Sequence, residues 1–314
     1  MSTPPIRIAT RRSKLAMWQA EHVQALLRAA HPDLAVELVP MSTQGDRVLD
    51  RALAEVGGKG LFVKELEVAM MDGRADIAVH SMKDVPSELP PGFAIVAVLP
   101  RANPLDAFIS RKYAKFTDLP HGARVGTSSP RRQSQLKHAR PDLHLELLRG
   151  NVETRLRRLD EGELHAILLA CAGLERLGIA HHVTEQLSLD LSLPAVGQGV
   201  IGIECRADDE RSRAVLACLH HADSFTRLNA ERAFAATLGG SCHSPIAAHA
   251  SLDGDTLTVR GFIGAPDGSE TYRDRLSGPA AQAETLGREL ARRMQAAGAE
   301  PLLERLRQEA AAAS

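Results

Sequence analysis

The chain has 314 residues, of which 44% are hydrophobic and 25% are charged, a composition that excludes a disordered polar chain. Lys and Arg total 38 against 39 for Asp and Glu, the formal net charge is -1, and aromatic residues make up 3%. This balance argues against a dedicated nucleic-acid binder, which is usually basic and offers aromatic stacking platforms. The length exceeds what a single hydrophobic core usually supports and predicts more than one domain.

The N-terminal residues contain no apolar run typical of a secretory signal, and no uninterrupted apolar stretch is long enough to predict a membrane span. The four cysteines are too few for a disulfide framework in a chain of this length. We therefore expect a cytoplasmic protein with reduced thiols.

Short apolar runs alternate with amphipathic runs through the first two thirds of the chain. The apolar runs predict strands at Ile6–Thr10, Ala35–Val39, Asp76–His80, Phe93–Leu99, Ala107–Ser110, Arg124–Thr127, Leu143–Leu148, Ala166–Leu169 and Val200–Glu204. The amphipathic runs predict helices at Lys14–Ala29, Phe62–Met71, Val152–Leu159 and Arg211–Leu219. This alternation predicts α/β units built around mixed or mostly parallel sheets.

Two segments, Pro100–Pro104 and Leu193–Gly199, have the composition of hinges. They predict a chain that crosses from one α/β domain to another and returns, with residues 1-99 plus 200-218 in domain 1 and residues 100-199 in domain 2. Such a topology creates a cleft between two lobes, and clefts between domains are favoured sites for small molecules.

The last third has a different pattern and predicts a small α+β domain over residues 219-314. A helix is predicted at Phe225–Leu238, followed by glycine, which suits a helix C-terminus. A meander of strands at Ile246–Ser251, Thr256–Ile263 and Thr271–Leu276 follows, with Asp253-Gly254 and Pro266-Asp267-Gly268 as turns, and helices at Ala280–Ala297 and Leu302–Ala312 complete the chain.

Arginines concentrate where predicted strands give way to helices. Ser129 fits a helix N-cap and Pro130 the first helical position, so Arg131 and Arg132 lie at an end of a helix that favours anions. Junctions of the same kind hold Arg11 with Ser13, Arg149, Arg155 and Arg176. We interpret the cluster as a site for a ligand with several carboxylates or phosphates, the alternative being ordinary surface charge. No P-loop motif is present, which argues against a nucleotide bound in that way.

Lys83 and Asp84 follow the predicted strand at Asp76–His80. A carboxylate placed there could transfer protons or stabilise a developing cation, or the two residues could form a surface pair of little consequence. The glycine-rich loop Gly57-Gly58-Lys59-Gly60 could cradle a phosphate or act as the hinge of a lid.

The cysteines differ in their surroundings. Cys171 and Cys218 lie in apolar runs and are predicted to be small core residues, and Cys205, at the end of a strand, is predicted to be structural. Cys242 lies in a polar loop beside His243, where it could be a nucleophile or an attachment point. Zinc is the competing interpretation, but no Cys-x-x-Cys pair is present and we expect no metal.

Five strings together resemble the porphobilinogen deaminase family. They are VGGKGLF at Val56–Phe62, VHSMKDVP at Val79–Pro86, GTSSPRR at Gly126–Arg132, LRGNVETR at Leu148–Arg155 and LPAVGQG at Leu193–Gly199. The cysteine loop that ends at Pro245-Ile246 adds to the match. The resemblance extends from about Ile6 into the C-terminal domain.

The resemblance implies three domains, the first two like periplasmic binding proteins with a cleft between them and the third a small α+β domain. It implies an enzyme, a hydroxymethylbilane synthase, that joins four porphobilinogen molecules head to tail with loss of ammonia and then hydrolyses the linear product from the protein. The family's cofactor is a dipyrromethane, which by position is attached through Cys242. By position, Asp84 matches the family's catalytic acid.

The resemblance also implies a set of binding residues and a monomer that needs no nucleic acid, membrane or obligate protein partner. The cofactor would contact Ser81, Lys83, Thr127, Ser129, Arg131, Arg132, Arg155 and Gly199. The substrate would contact Arg11, Ser13, Gln19, Phe62, Arg149, Arg155, Arg176 and Gln198. A mobile lid would span Ser42–Gly60 and include Gly57, Gly58, Lys59 and Gly60, although Glu55 and Gln44 replace basic residues that are frequent in the family.

A two-lobed solute-binding protein for a polycarboxylate is the alternative function. It would share the cleft, but it would require export and would not explain Cys242. A nucleic-acid binder would explain the arginines but not Asp84 or the balanced charge.

Overall fold

The computed structural model describes residues 4–47, 60–239 and 244–312. The strands are β1 (Ile6–Arg11), β2 (Val36–Met41), β3 (Ile77–Ser81), β4 (Phe93–Val98), β5 (Asp106–Ile109), β6 (Arg124–Gly126), β7 (His144–Glu146), β8 (Ala166–Ala170), β9 (Glu185–Gln186), β10 (Ile201–Arg206), β11 (Ile246–Asp253), β12 (Thr256–Gly264) and β13 (Thr271–Pro279). The helices are α1 (Lys14–Ala30), α2 (Gln44–Arg47), α3 (Lys64–Met71), α4 (Pro130–Ala139), α5 (Val152–Asp160), α6 (Cys171–Arg176), α7 (Glu210–Leu216), α8 (Ala222–Thr237), α9 (Ala283–Met294) and α10 (Glu300–Ala312). None of the helices in the described ranges combines the length and apolarity needed to cross a membrane.

The first sheet has the order β2-β1-β3-β10-β4. β1 is parallel to both of its neighbours, whereas β10 is antiparallel to β3 and β4. Helix α1 packs apolar residues such as Val23 and Leu27 on one face of this sheet, and α3 packs Leu66 and Met70 on the other. Burial on both faces explains why these strands are apolar runs without alternation.

The second sheet repeats this arrangement, with the order β7-β6-β8-β5-β9. β6 is parallel to β7 and β8, and β5 is antiparallel to β8 and β9. Helices α5 and α6 pack on one face and α4 packs on the other. The chain leaves the first sheet after β4, builds the second sheet, and returns to the first as β10. The limits of domains 1 and 2 stay a prediction.

The third sheet is the antiparallel meander β11-β12-β13, whose core is shared with α8, α9 and α10. This confirms the mixed α/β class with a small α+β unit at the end. A buried ion pair joins this unit to both crossing segments, because Arg101 Nη1 lies 2.5 Å from Glu231 Oε1 and Glu231 Oε2 accepts a hydrogen bond of 2.7 Å from the Gly197 amide.

The structure departs from the sequence-based predictions at a few places. Cys218 is exposed, so the prediction that it is a core residue was wrong: α7 ends at Leu216 and the following turn directs the thiol outward. Cys171 and Cys205 are buried as predicted. Helix α6 and strand β9 were not predicted. Two C-terminal helices were predicted and are present, although α9 ends at Met294, three residues before its predicted end, and Gly298, in the break at residues 295–299, has a φ of 114°.

Candidate active site

A cleft of about 800 Å³ is lined by residues of both the first and the second sheet units. Most of the predicted binding residues line it, namely Arg11, Ser13, Gln19, Gly60, Phe62, Ser81, Lys83, Asp84, Ser129, Arg131, Arg132, Arg149, Arg155 and Gln198. Gly57, Gly58, Lys59 and Cys242 lie outside the described residues, as does Glu55. The structure therefore gathers side chains from the ends of four separate strands, β1, β3, β6 and β7, into one site.

Asp84 lies on a short turn, Met82–Asp84, that follows β3 directly. The Met82 amide donates a 3.0 Å hydrogen bond to the Val200 carbonyl, and the Met82 side chain is 1% exposed. This anchoring leaves the Asp84 side chain 34% exposed, with Oδ2 4.0 Å from Arg11 Nη1. Arg11 in turn lies over the ring of Phe62, 4.1 Å from its centre. The turn thus presents a carboxylate to the cleft on a rigid support.

Three helices begin at the cleft, each capped by a side chain. Ser13 accepts a hydrogen bond from the Ala16 amide at the start of α1, Ser129 accepts one from the Arg132 amide at the start of α4, and Asn151 caps α5. All three caps line the cleft. The predicted N-cap at Ser129, with proline in the first turn, is confirmed. Helix N-termini carry partial positive charge, so this end of the molecule favours anions.

Asp106, which sequence reasoning missed, holds the paired arginines. Its buried carboxylate accepts hydrogen bonds from Arg131 at 2.8 and 3.1 Å, from Arg132 at 2.7 Å, from Gln198 at 2.9 Å and from Ser192 at 2.6 Å. Burial alone would raise the pKa of Asp106, but the two guanidinium groups hold it well below its usual range. A charged residue inside an apolar strand requires a partner, and this was the available signal.

The remaining cations of the cleft crowd one another. Burial, followed by the charges of Arg132 and Arg149, lowers the pKa of Arg155 to about 10. Burial lowers the pKa of Lys83 to about 8, with Arg132 and Arg155 acting in the same direction. In addition, the Nε atoms of Arg131 and Arg132 are buried without a hydrogen-bond partner among the described residues. This crowding of desolvated positive charge fits a ligand that carries several carboxylates.

Three predicted binding residues support the cleft but do not line it in this conformation. Arg176 donates a 2.7 Å hydrogen bond to the carbonyl of Gly199, and Thr127 is fully buried. Gly199 has a φ of +88°, and a Cβ atom there would meet the Ala102 carbonyl oxygen at 2.5 Å. The close approach of Gly199 to Ala102 joins the two segments that cross between the lobes, Pro100–Pro104 and Leu193–Gly199.

A second, smaller cavity of about 90 Å³ adjoins the cleft and shares Lys83, Ser129 and Arg131 with it. Its wall also includes Ala235, Ser244 and Ile246. Ser244 directly follows residues 240–243, which lie outside the described residues and contain Cys242. The chain on the C-terminal side of the cysteine loop is therefore next to the site.

Comparison with protein families gives two matches that together span most of the chain. Residues 6–214 match the porphobilinogen deaminase dipyrromethane cofactor-binding domain, and residues 225–296 match the porphobilinogen deaminase C-terminal domain. The chain belongs to the porphobilinogen deaminase family. It is accordingly a hydroxymethylbilane synthase, a transferase of porphyrin and tetrapyrrole biosynthesis that binds a dipyrromethane cofactor. The residues present fit that group, because a dipyrromethane made from porphobilinogen carries the carboxylates that the crowded arginines require.

Solved structures with a related shape include several solute-binding proteins. The methionine-binding protein MetQ is 16% identical, with a TM-score of 0.45 over 70% of this chain and 91% of its own. A putative methionine-binding lipoprotein from Bacillus subtilis is 13% identical, with a TM-score of 0.43 over 70% of this chain and 92% of its own. The aliphatic sulphonate binding protein SsuA from Escherichia coli is 13% identical, with a TM-score of 0.40 over 75% of this chain and 71% of its own. Similarity at this level carries no information on ligand or activity.

Proposed function

We propose that the enzyme joins four porphobilinogen molecules head to tail, releases ammonia at each coupling, and finally hydrolyses off hydroxymethylbilane, with Asp84 as the catalytic acid. The observation that carries this proposal is the partly exposed carboxylate of Asp84, held on a rigid turn inside a cleft lined by arginines. A solute-binding protein would need the cations but not this carboxylate. The family match also disfavours that alternative.

Asp84 can act on the substrate in two ways. The amino group of the substrate's aminomethyl arm must leave as ammonia when its C–N bond breaks, and the positive charge that develops on the remaining methylene carbon can be stabilised by the adjacent carboxylate. The same carboxylate can hold and return the proton that moves when a new carbon–carbon bond forms.

The arginines bind and orient the acidic side chains. We assign cofactor contacts to Ser81, Lys83, Ser129, Arg131, Arg132 and Arg155, with Thr127 and Gly199 as supports. Substrate contacts are assigned to Arg11, Ser13, Gln19, Phe62, Arg149, Arg155 and Gln198, with Arg176 as a further support through its hydrogen bond to the Gly199 carbonyl. When bound, the dipyrromethane supplies the free pyrrole position to which the first substrate is joined.

Cys242 is the proposed attachment point of the dipyrromethane. The other three cysteines are unsuitable, because Cys171 and Cys205 are buried and Cys218 lies on a surface turn that does not line the cleft. Position supports Cys242, since Ser244, two residues further on, lines the cavity that shares Lys83 and Arg131 with the cleft.

Intact mass of the denatured protein tests the attachment. We expect the purified protein to carry the added mass of two linked pyrrole units, and Cys242→Ser to lack it. Cys218→Ser is the matched control and should keep the adduct. A bare polypeptide that acquires no adduct on incubation with porphobilinogen would contradict the proposal.

Asp84→Asn tests the assigned acid, with Asp72→Asn on the surface as its control. We expect Asp84→Asn to keep the covalent adduct and the thermal stability of the wild type while losing turnover by about a hundredfold or more, as removal of a general acid–base group usually does. Asp72→Asn should turn over normally. Near-normal product formation by Asp84→Asn would exclude the mechanism.

A further inference from the structure

His80, the second-last residue of β3, forms a buried pair with a carboxylate that the mechanism above does not use. Its Nε2 atom lies 2.7 Å from Glu204 Oε2, and the two side chains are 5% and 0% exposed. Glu204 belongs to β10, the strand that returns from the second lobe. His80 also lines the cleft.

Stability gives no reason for a polar pair at this position. Burying two polar groups costs solvation, and well-packed apolar side chains of similar size often serve a core as well or better. Moreover, the second carboxylate oxygen of Glu204 is buried without a hydrogen-bond partner among the described residues. An incompletely satisfied carboxylate in a core is unfavourable, and such sites in folded proteins are frequently functional.

The location of the pair relates it to the active site. β10 is antiparallel to β3, with Gly202 opposite His80 and Ile201 opposite Ser81, and the Val200 carbonyl then accepts the amide of Met82. The pair therefore lies immediately before the Met82–Asp84 turn. An ionised Glu204 can only accept, so it requires hydrogen on Nε2 and fixes the orientation of the imidazole ring.

The electrostatic effect of the His80–Glu204 pair reaches helix α3. Burial and then the charge of Glu204 raise the pKa of Glu67 on α3 to about 6, and His80 acts in the opposite direction. Helix α3 follows Phe62, the residue that stacks against Arg11. The pair thus lies between helix α3, which begins two residues after Phe62, and the turn that carries Asp84.

We propose that His80, oriented by Glu204, is a positioning residue for the Met82–Asp84 turn, and that the pair is retained for turnover and not for stability. It acts through Asp84 by holding the end of β3 in one orientation against β10 while the cleft fills with acidic ligand. This proposal rests on the proposed function of Asp84.

The test replaces the pair with apolar side chains in the double variant His80→Leu/Glu204→Leu. We expect the variant to melt within a few degrees of the wild type and to carry the dipyrromethane by intact mass. Its KM for porphobilinogen should change little, while kcat should fall by roughly tenfold to a hundredfold, as expected when a reacting group is displaced by about an ångström. Wild-type kcat in the folded double variant would overturn the proposal.

The matched control is Arg7→Leu/Asp76→Leu. This variant removes an ion pair from the same sheet, 2.9 Å between Arg7 Nη2 and Asp76 Oδ1, at the strand ends remote from the turn, and neither residue lines the cleft. We expect its kcat to stay at the wild-type value. A loss of kcat equal to that of the first double variant would show a general effect of ion-pair removal and overturn the positioning role.

A second variant covers the case in which the apolar pair does not fold. Two single variants are compared, Glu204→Gln and Glu204→Leu. Glu204→Gln keeps an acceptor for His80 Nε2 but removes the charge, whereas Glu204→Leu removes the acceptor as well. We expect kcat to fall less in Glu204→Gln than in Glu204→Leu, with KM unchanged in both. Equal wild-type kcat in the two single variants would overturn the proposal. Wild-type turnover of porphobilinogen, measured in parallel, separates these outcomes from failure of the proposed function, which would show as no turnover by the wild type.

Discussion

Replacing Asp106 by asparagine should destabilise the whole cleft while leaving its shape nearly unchanged. The carboxylate is 0% exposed and receives five hydrogen bonds, three of them from the guanidinium groups of Arg131 and Arg132. An asparagine in this position has one oxygen for these donors, and its NH₂ group faces the others. Two buried cations then lose their counter-charge.

The magnitude follows from the burial of the group. Removing one partner of a buried ion pair typically costs about 3–5 kcal/mol, because the other partner stays buried without compensation. With a denaturant slope of about 3 kcal/mol per molar urea, the unfolding midpoint should fall by more than about 1 M. Asp160→Asn is the control: Asp160 pairs with Arg111 at 2.8 Å, but the two side chains are 54% and 37% exposed, so the expected loss is below about 1 kcal/mol.

Urea unfolding of both variants at several pH values is the assay. The folded-state pKa of Asp106 lies well below its ordinary value of 3.8, so the stabilisation is complete above that pH and is lost as the pH falls below it. The difference in the free energy of unfolding between the wild type and Asp106→Asn should therefore be constant from about pH 8 to pH 5. It should become smaller only in stronger acid. Equal midpoints for Asp106→Asn and the wild type at pH 7 would refute the reasoning.

Three further predictions concern the charge, the backbone and the thiols. Burial and two neighbouring arginines lower the pKa of Lys83 to about 8. Ligand-free Lys83→Met should therefore be more stable than the wild type at pH 7, and the difference in stability should disappear between pH 8 and the ordinary pKa of 10.5. An unchanged urea midpoint at about pH 7 would contradict this. Gly199→Ala should lower the free energy of unfolding in urea by about 2–3 kcal/mol, because φ is positive and the Ala102 carbonyl oxygen occupies the space of the new Cβ atom. Gly73→Ala, whose Cβ atom would meet open space, should cost about 1 kcal/mol. Equal losses would be inconsistent with the close approach of Gly199 to Ala102. In cofactor-loaded protein only Cys218 should react rapidly with a thiol reagent, and a rapid phase that survives in Cys218→Ser would show the assignment to be wrong.

Features set by neighbouring residues in the chain were predictable. Ser129 and Pro130 indicated a helix start, and the structure has the cap and the proline where local chemistry requires them. The junction that carries Arg11 in one lobe and those that carry Arg149 and Arg155 in the other were predicted to meet at one site, because ligands of α/β sheets bind at the carboxyl ends of the strands and a cleft was expected between the lobes. In these cases a few residues contain all the information.

Features that depend on distant partners were not predictable in the same way. The pattern marked Arg131 and Arg132 as ligand contacts, but nothing local shows that both donate to Asp106, which is 25 and 26 residues away. Cys218 lies in an apolar run and was expected in the core, but the helix ends two residues earlier and the thiol faces outward. In the first case the outcome depends on which buried groups the packed strands and helices bring together, and in the second on which surface the packed sheets leave uncovered.

The return of the chain as β10 has a consequence for synthesis on the ribosome. Until residues 201–206 emerge, β3 and β4 lack the strand that separates them, although all of the second sheet is already available to fold. Unpaired strand edges invite wrong partners, so a nascent chain that stalls within the second lobe exposes a surface prone to aggregation. The turn that bears Asp84 also obtains its backbone bond to Val200 only at that point. A truncated chain that ends before β10 is thus expected to be both catalytically silent and a substrate for chaperones.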